Sequence, residues 1–179
     1  ELFLEPKLFA RYKAVYDKRL TSGLNAQQIR IVERSYDEMV RDGANLSAAD
    51  KAKLVDLNAR LEGLFSAFSS KLLGDEKLYT FVTDKAELAG LAPGFVASLA
   101  DAAEAQGKPG QWAIKNTRSS AQPVLQNATN RALREKVWRA FVNRGDNGDA
   151  NDTNATIAEI LKLRQERAVL LGFPTHADY

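Results

Sequence analysis

A lone histidine, an arginine set among apolar residues, and an Asp/Asn-rich loop are the features of this chain whose types and spacing could do chemistry. His176 is the only histidine in 179 residues, and there is no cysteine. A metal centre needs several converging His, Cys or carboxylate ligands, and a Ser/His nucleophile needs its base within hydrogen-bond reach. Nothing in the sequence converges on His176, which reads as an exposed residue of a first helical turn. The loop from Gly145 to Thr153, GDNGDANDT, has the look of a calcium loop. Registered on Asp149, an EF-hand would require Gly where Asn154 stands and Glu where Ile160 stands. It fails at both, and reads as a solvated connection ending in a helix N-cap. No catalytic, cofactor-binding or metal-ligating residue is assigned.

The arginine is Arg164. In a helix from about Ala155 to Leu171, steps of 100° put Ile157, Ile160, Leu161, Ala168 and Leu171 on one face, with Arg164 in its middle. A guanidinium buried there needs a carboxylate or several carbonyls, because an unpaired buried charge is costly. Two readings stand: a structural ion pair to another segment, or a cation facing a substrate channel.

The elements that would position these residues are mostly helices. Glu5-Pro6 opens the first, with Phe9, Tyr12, Tyr16 and Leu20 at helical spacing. Asn25-Ala26-Gln27-Gln28 is a capping box for a second, closed by Asp42-Gly43. Ser47-Ala48-Ala49-Asp50 opens a third, whose stripe runs through Leu54, Leu57, Leu61, Leu64, Phe65, Phe68 and Leu72. These read as antiparallel neighbours. Leu78–Thr83 is β-branched and aromatic and reads as a strand, with Trp112–Thr117 its partner. Between them lie a short helix capped by Asp84 and a longer one from Pro93 to about Gln106. Asn130 caps a helix to Arg144, with Leu133, Val137, Ala140 and Phe141 on the inner face. The fold class is therefore mainly α, with one small two-stranded β element.

Composition narrows the function classes. The chain is 45% hydrophobic and 27% charged, enough for a core of domain size. Lys and Arg number 25 against 23 acidic residues, interspersed along helices, so no basic stripe suggests nucleic acid. No apolar run approaches the ~18 residues that would suggest a membrane span. The absent cysteines fit a reducing, cytoplasmic compartment, with the periplasm as the alternative.

Several stretches together resemble a known family. Asn130–Phe141, NRALREKVWRAF, is followed by Arg144-Gly145-Asp146-Asn147-Gly148 and by Leu163–Phe173, LRQERAVLLGF. Upstream stand Arg41–Leu46, Asp75-Glu76-Lys77 and Leu88-Ala89-Gly90-Leu91. The whole is similar to the thimet-oligopeptidase family of zinc metallopeptidases, in its peptidyl-dipeptidase (dipeptidyl carboxypeptidase) branch. The resemblance implies the helical part of a zincin-like oligopeptidase with two halves across a deep channel. It also implies Zn2+ in the parent protein and short peptides as substrates. The family's His-Glu-x-x-His motif does not occur here, so no ligand carries over and none of the zinc is expected to be held by this chain.

At the end of the chain, Gly172-Phe173-Pro174 reads as a helix stop and Thr175-His176-Ala177-Asp178 as the capping signature of a new helix. The expectation is a single helical fragment, 1–179, cut at the start of a helix near 175. Its expected partner is a catalytic portion C-terminal to it, and by itself it is expected to be inactive. A free-standing helical module that binds a partner helix or peptide is the competing expectation.

Overall fold

Local caps set the helix starts in the computed structural model, which describes residues 5–179. Glu5 caps α1 (Pro6–Asp17) by accepting the Leu8 N–H at 2.7 Å. Asn25 and Gln28 close the reciprocal box of α2 (Ala26–Arg41) at 2.9 and 3.0 Å. Ser47 Oγ accepts the Asp50 N–H at the head of α3 (Ala48–Glu76). Asp84 caps a 3-10 turn at Lys85–Leu88, Pro93 opens α4 (Pro93–Ala105), and Asn130 caps α6 (Arg131–Val142). The last helix is α7 (Asn154–Leu170). The described residues are mainly α, with a single two-stranded sheet.

The chain divides into two compact units, Glu1–Phe65 with Ala158–Tyr179, and Ser66–Ile157. In the first, Arg19 of the α1–α2 connection reaches Glu33 at 3.0 Å, while Phe9 stacks near Tyr36. Tyr16 stacks on Tyr36 as well, at 4.0 Å, so α1 packs on α2 through that ring. Gly43 ends α2 at φ +94°, with its N–H on the Val40 carbonyl and the Ala44 N–H on that of Met39. A Cβ at Gly43 would stand 2.6 Å from Leu54 Cδ2, so glycine is needed there for space as well as for φ. Leu57 and Leu61 of α3 form a buried cluster with Ile160 and Leu163 of α7.

That cluster fixes the rotation of α7, and it differs from the sequence expectation. Leu163 is fully buried (0% exposed) whereas Leu161 is 59% exposed. Ile160 and Ala168 of the expected face are buried, with Arg164 between them at about 40° from each, and the buried face extends about 60° to the other side of Ile160 to take in Arg167 and Leu163. Arg164 is half-buried with its guanidinium 5.2 Å from the Phe65 ring, and has no carboxylate or carbonyl partner among the described residues. The expected buried ion pair of Arg164 is thus absent among the described residues, and Arg167, half-buried as well, is the arginine that donates to a side chain of α3, Asn58 Oδ1 at 3.2 Å. Apolar residues occur on several sides of this helix, so the pattern admitted more than one phase.

In the second unit, β1 (Tyr79–Val82) pairs antiparallel with β2 (Trp112–Lys115), Tyr79 opposite Lys115 and Val82 opposite Trp112. The hairpin-like pair packs with α4, α5 (Arg118–Asn127) and α6 around Val82, Leu99, Ile114, Val124, Leu133 and Val137. Helix α5 has no counterpart in the sequence expectations. Pro123 lies inside it and removes one backbone donor, a change that disfavours a helix interior. Burial of Ala121 and Val124 on the same helix offsets that cost.

Candidate functional site

Two features of the second unit bring together residues that are far apart or scattered in sequence. The first is a clasp on Asp75, a carboxylate that is 0% exposed. It accepts the Gly145 N–H at 2.7 Å and the side-chain amides of Asn147 at 3.1 Å and Asn151 at 2.8 Å. Its neighbour Glu76 pairs with Arg144 at 2.7 Å, and Lys71 donates to the Asp152 carbonyl. A Cβ on Gly74 would meet Asn151 Oδ1 at 2.6 Å, so a larger residue there would displace the Asn151 amide that donates to Asp75. The Gly145–Thr153 loop, expected to be solvated, is therefore fastened to the end of α3. Asp152 accepts the Asn154 and Gly148 N–H groups, which hold its carboxyl below the ordinary carboxylate range.

The second feature is a hollow of about 500 Å³ lined by Leu125, Arg131, Arg134, Glu135 and Trp138. The four α6 residues recur at i, i+3, i+4 and i+7 and so share one helix face. Leu125 comes from α5, and the turn between the helices is pinned by the Thr129 N–H on the Ala89 carbonyl at 2.8 Å. Arg134 donates from Nη1 to the carbonyls of Ala128 and Thr129, which fixes its guanidinium at the mouth of that turn. Glu135 is held by Arg139, which donates from Nε and Nη2 at 2.9 and 2.8 Å. Arg131 has no hydrogen-bond or ion-pair partner among the described residues, and Trp138 is 50% exposed. A tryptophan on the charged face of α6 is the signal for this hollow in the sequence.

His176 is half-buried, not exposed. Thr175 and Asp178 flank it in the expected reciprocal cap, with bonds of 3.0 and 3.3 Å. Its ring lies 6.2 Å from that of Tyr179, and its Nδ1 is buried without a partner. Among the described residues no group of three or more His, Cys, Asp or Glu side chains could hold a metal ion. The residues described here do not fit a zinc site.

Comparison with known proteins identifies the scaffold. The sequence pattern of Peptidase family M3 matches residues 124–179. The dipeptidyl carboxypeptidase of Escherichia coli (strain K12) is 39% identical over all of this chain, which covers 26% of that protein. Residues 124–179 thus carry the pattern of Peptidase family M3, within a chain that is similar to a dipeptidyl carboxypeptidase along its whole length. Organellar oligopeptidase A of Arabidopsis thaliana is 35% identical over 96% of the chain and 22% of its own length. Oligopeptidase A of Escherichia coli (strain K12) is 31% identical over 95% of the chain and 26% of its own length. The chain thus spans about a quarter of the length of the curated relatives it matches. The clasp joins two of the stretches that carried the family resemblance, Asp75-Glu76-Lys77 and Arg144–Gly148. Among the described residues, no helix is long and apolar enough to cross a membrane.

Proposed function

We propose that this chain is a helical wall segment of an M3 peptidase that hydrolyses short peptides, and that it holds none of the catalytic groups. The observation that supports the reading is the end-to-end match to a dipeptidyl carboxypeptidase by a chain with one histidine. Zinc is implied by the family resemblance, and its ligands are assigned to polypeptide outside these 179 residues. The segment's contribution is selective. A wall of packed helices limits which peptides reach the reacting centre and presents side chains to them. We place the parent in the cytoplasm, on the argument from absent cysteines, with the periplasm as the alternative.

The test compares this chain with the longer polypeptide that contains it. The chain alone is expected to cleave no short peptide with or without added zinc, whereas the longer polypeptide cleaves and loses activity to a chelator. Metal-dependent cleavage by the chain alone, or stoichiometric zinc binding at micromolar affinity, would overturn the assignment.

A further inference from the structure

We propose that the α6 hollow is a binding site for a peptide segment carrying an acidic side chain beside a bulky apolar one. The inference rests on the peptide-processing reading above and names the peptide chemistry that this part of the wall selects.

The charges come first. Arg131 and Arg134 stand in the opening turns of α6, near the positive end of its macrodipole, with no acidic residue in the first turn. Two cations there gain nothing from the helix, and Arg131 gains nothing from an ion pair. Glu135, the one acid of the lining, is already engaged by Arg139. The unanswered charge of the hollow is therefore positive. Arg134 is held by two carbonyls through Nη1 alone, so its remaining N–H groups stay available in a fixed orientation. A pre-positioned guanidinium beside a free one suits a carboxylate, which accepts two parallel bonds.

The apolar lining comes next. Trp138 and Leu125 share the hollow with those arginines, and a half-exposed indole gives a large apolar contact with little conformational entropy to lose. At about 500 Å³ the space is large enough for a pair of side chains. A carboxylate on the arginines then leaves the neighbouring side chain of the ligand over the indole. A lysine-bearing ligand would meet like charge and be rejected.

The experiment is calorimetric titration of the full 179-residue chain at low salt with two capped tripeptides, Phe-Asp-Phe and Phe-Lys-Phe. The acidic peptide is expected to bind and its lysine twin to bind roughly tenfold or more weakly. Added salt should weaken the acidic complex. R131E and W138A should each reduce binding by about tenfold with an unchanged helical circular-dichroism spectrum. R131K should keep more affinity than R131E, an ordering that a misfolded variant would not give. Equal binding of the two peptides, indifference to R131E, or equal binding of a mononucleotide would overturn the proposal. So would no binding of either peptide. The readout is binding and not cleavage, so a null here leaves the peptidase assignment standing, and loss of that assignment would show in the cleavage comparison.

Discussion

Asp75 Oδ2 accepts the Gly145 N–H at 2.7 Å across seventy positions of sequence, and among the described residues it forms no salt bridge. Three donors satisfy the buried carboxylate, all from the loop that follows α6. The loop is ordered because the carboxylate needs acceptable donors once water is removed, and the donors need an acceptor.

Removing that acceptor should therefore cost more than a surface change. Asp75→Ala is expected to lower the unfolding free energy by about 2–3 kcal/mol, since it strands donors from Gly145, Asn147 and Asn151. Asp75→Asn should recover only part, because its amide turns a donor toward donors. Urea unfolding followed by circular dichroism measures both. A loss under about 0.5 kcal/mol for Asp75→Ala would show the clasp to be incidental.

Gly43 and Gly23 offer a controlled pair. Both have positive φ, but a Cβ at Gly23 meets nothing within 4 Å, while one at Gly43 meets Leu54 Cδ2 at 2.6 Å. Gly23→Ala should cost about 1 kcal/mol from backbone strain alone. Gly43→Ala should cost about 1–3 kcal/mol more, because Leu54 is a buried core residue. Thermal unfolding of the two variants should separate them in that order.

Arginine scanning of α7 should invert the expectation drawn from its pattern. Arg167 donates to Asn58 Oδ1 at 3.2 Å and lies 5.4 Å from the Tyr179 ring, while Arg164 has only the Phe65 ring among the described residues. Arg167→Ala should destabilise by about 1–2 kcal/mol and Arg164→Ala by less than about 1 kcal/mol. Chemical denaturation of the two variants side by side decides between the two phases of the helix.

Asp152 sets an acid-side dependence. Its carboxyl is held below its ordinary range, chiefly by the Asn154 and Gly148 N–H groups, so the folded state binds this proton less readily than the unfolded chain. The stabilisation it gives is complete above the unfolded carboxylate value and is lost as pH falls through the lower folded one. Asp152→Asn should therefore flatten the acid limb of the stability curve and leave its shape near neutrality unchanged. Melting temperatures across acid pH measure this, and an unaltered acid limb would contradict it.

What the sequence determined by itself was local. The Asn25/Gln28 box, the Asn130 cap and the Thr175/Asp178 box formed as read, because each is a contact across three residues. The helix stop at Gly172 did too, with the Phe173 N–H on the Ala168 carbonyl and the Gly172 N–H on that of Val169. The strands fell inside their expected stretches because β-branched and aromatic residues mark them within a few positions. Tertiary structure decided the rest. Helix α5 exists around Pro123 because burial of Ala121 and Val124 outweighs propensity. The rotation of α7 follows Leu57 and Leu61, about a hundred positions away, since its own apolar residues admit several phases. Asp75 is buried because its donors come from a loop that no short-range pattern connects to it, and the arginines meet Trp138 and Leu125 only once α5 and α6 have packed.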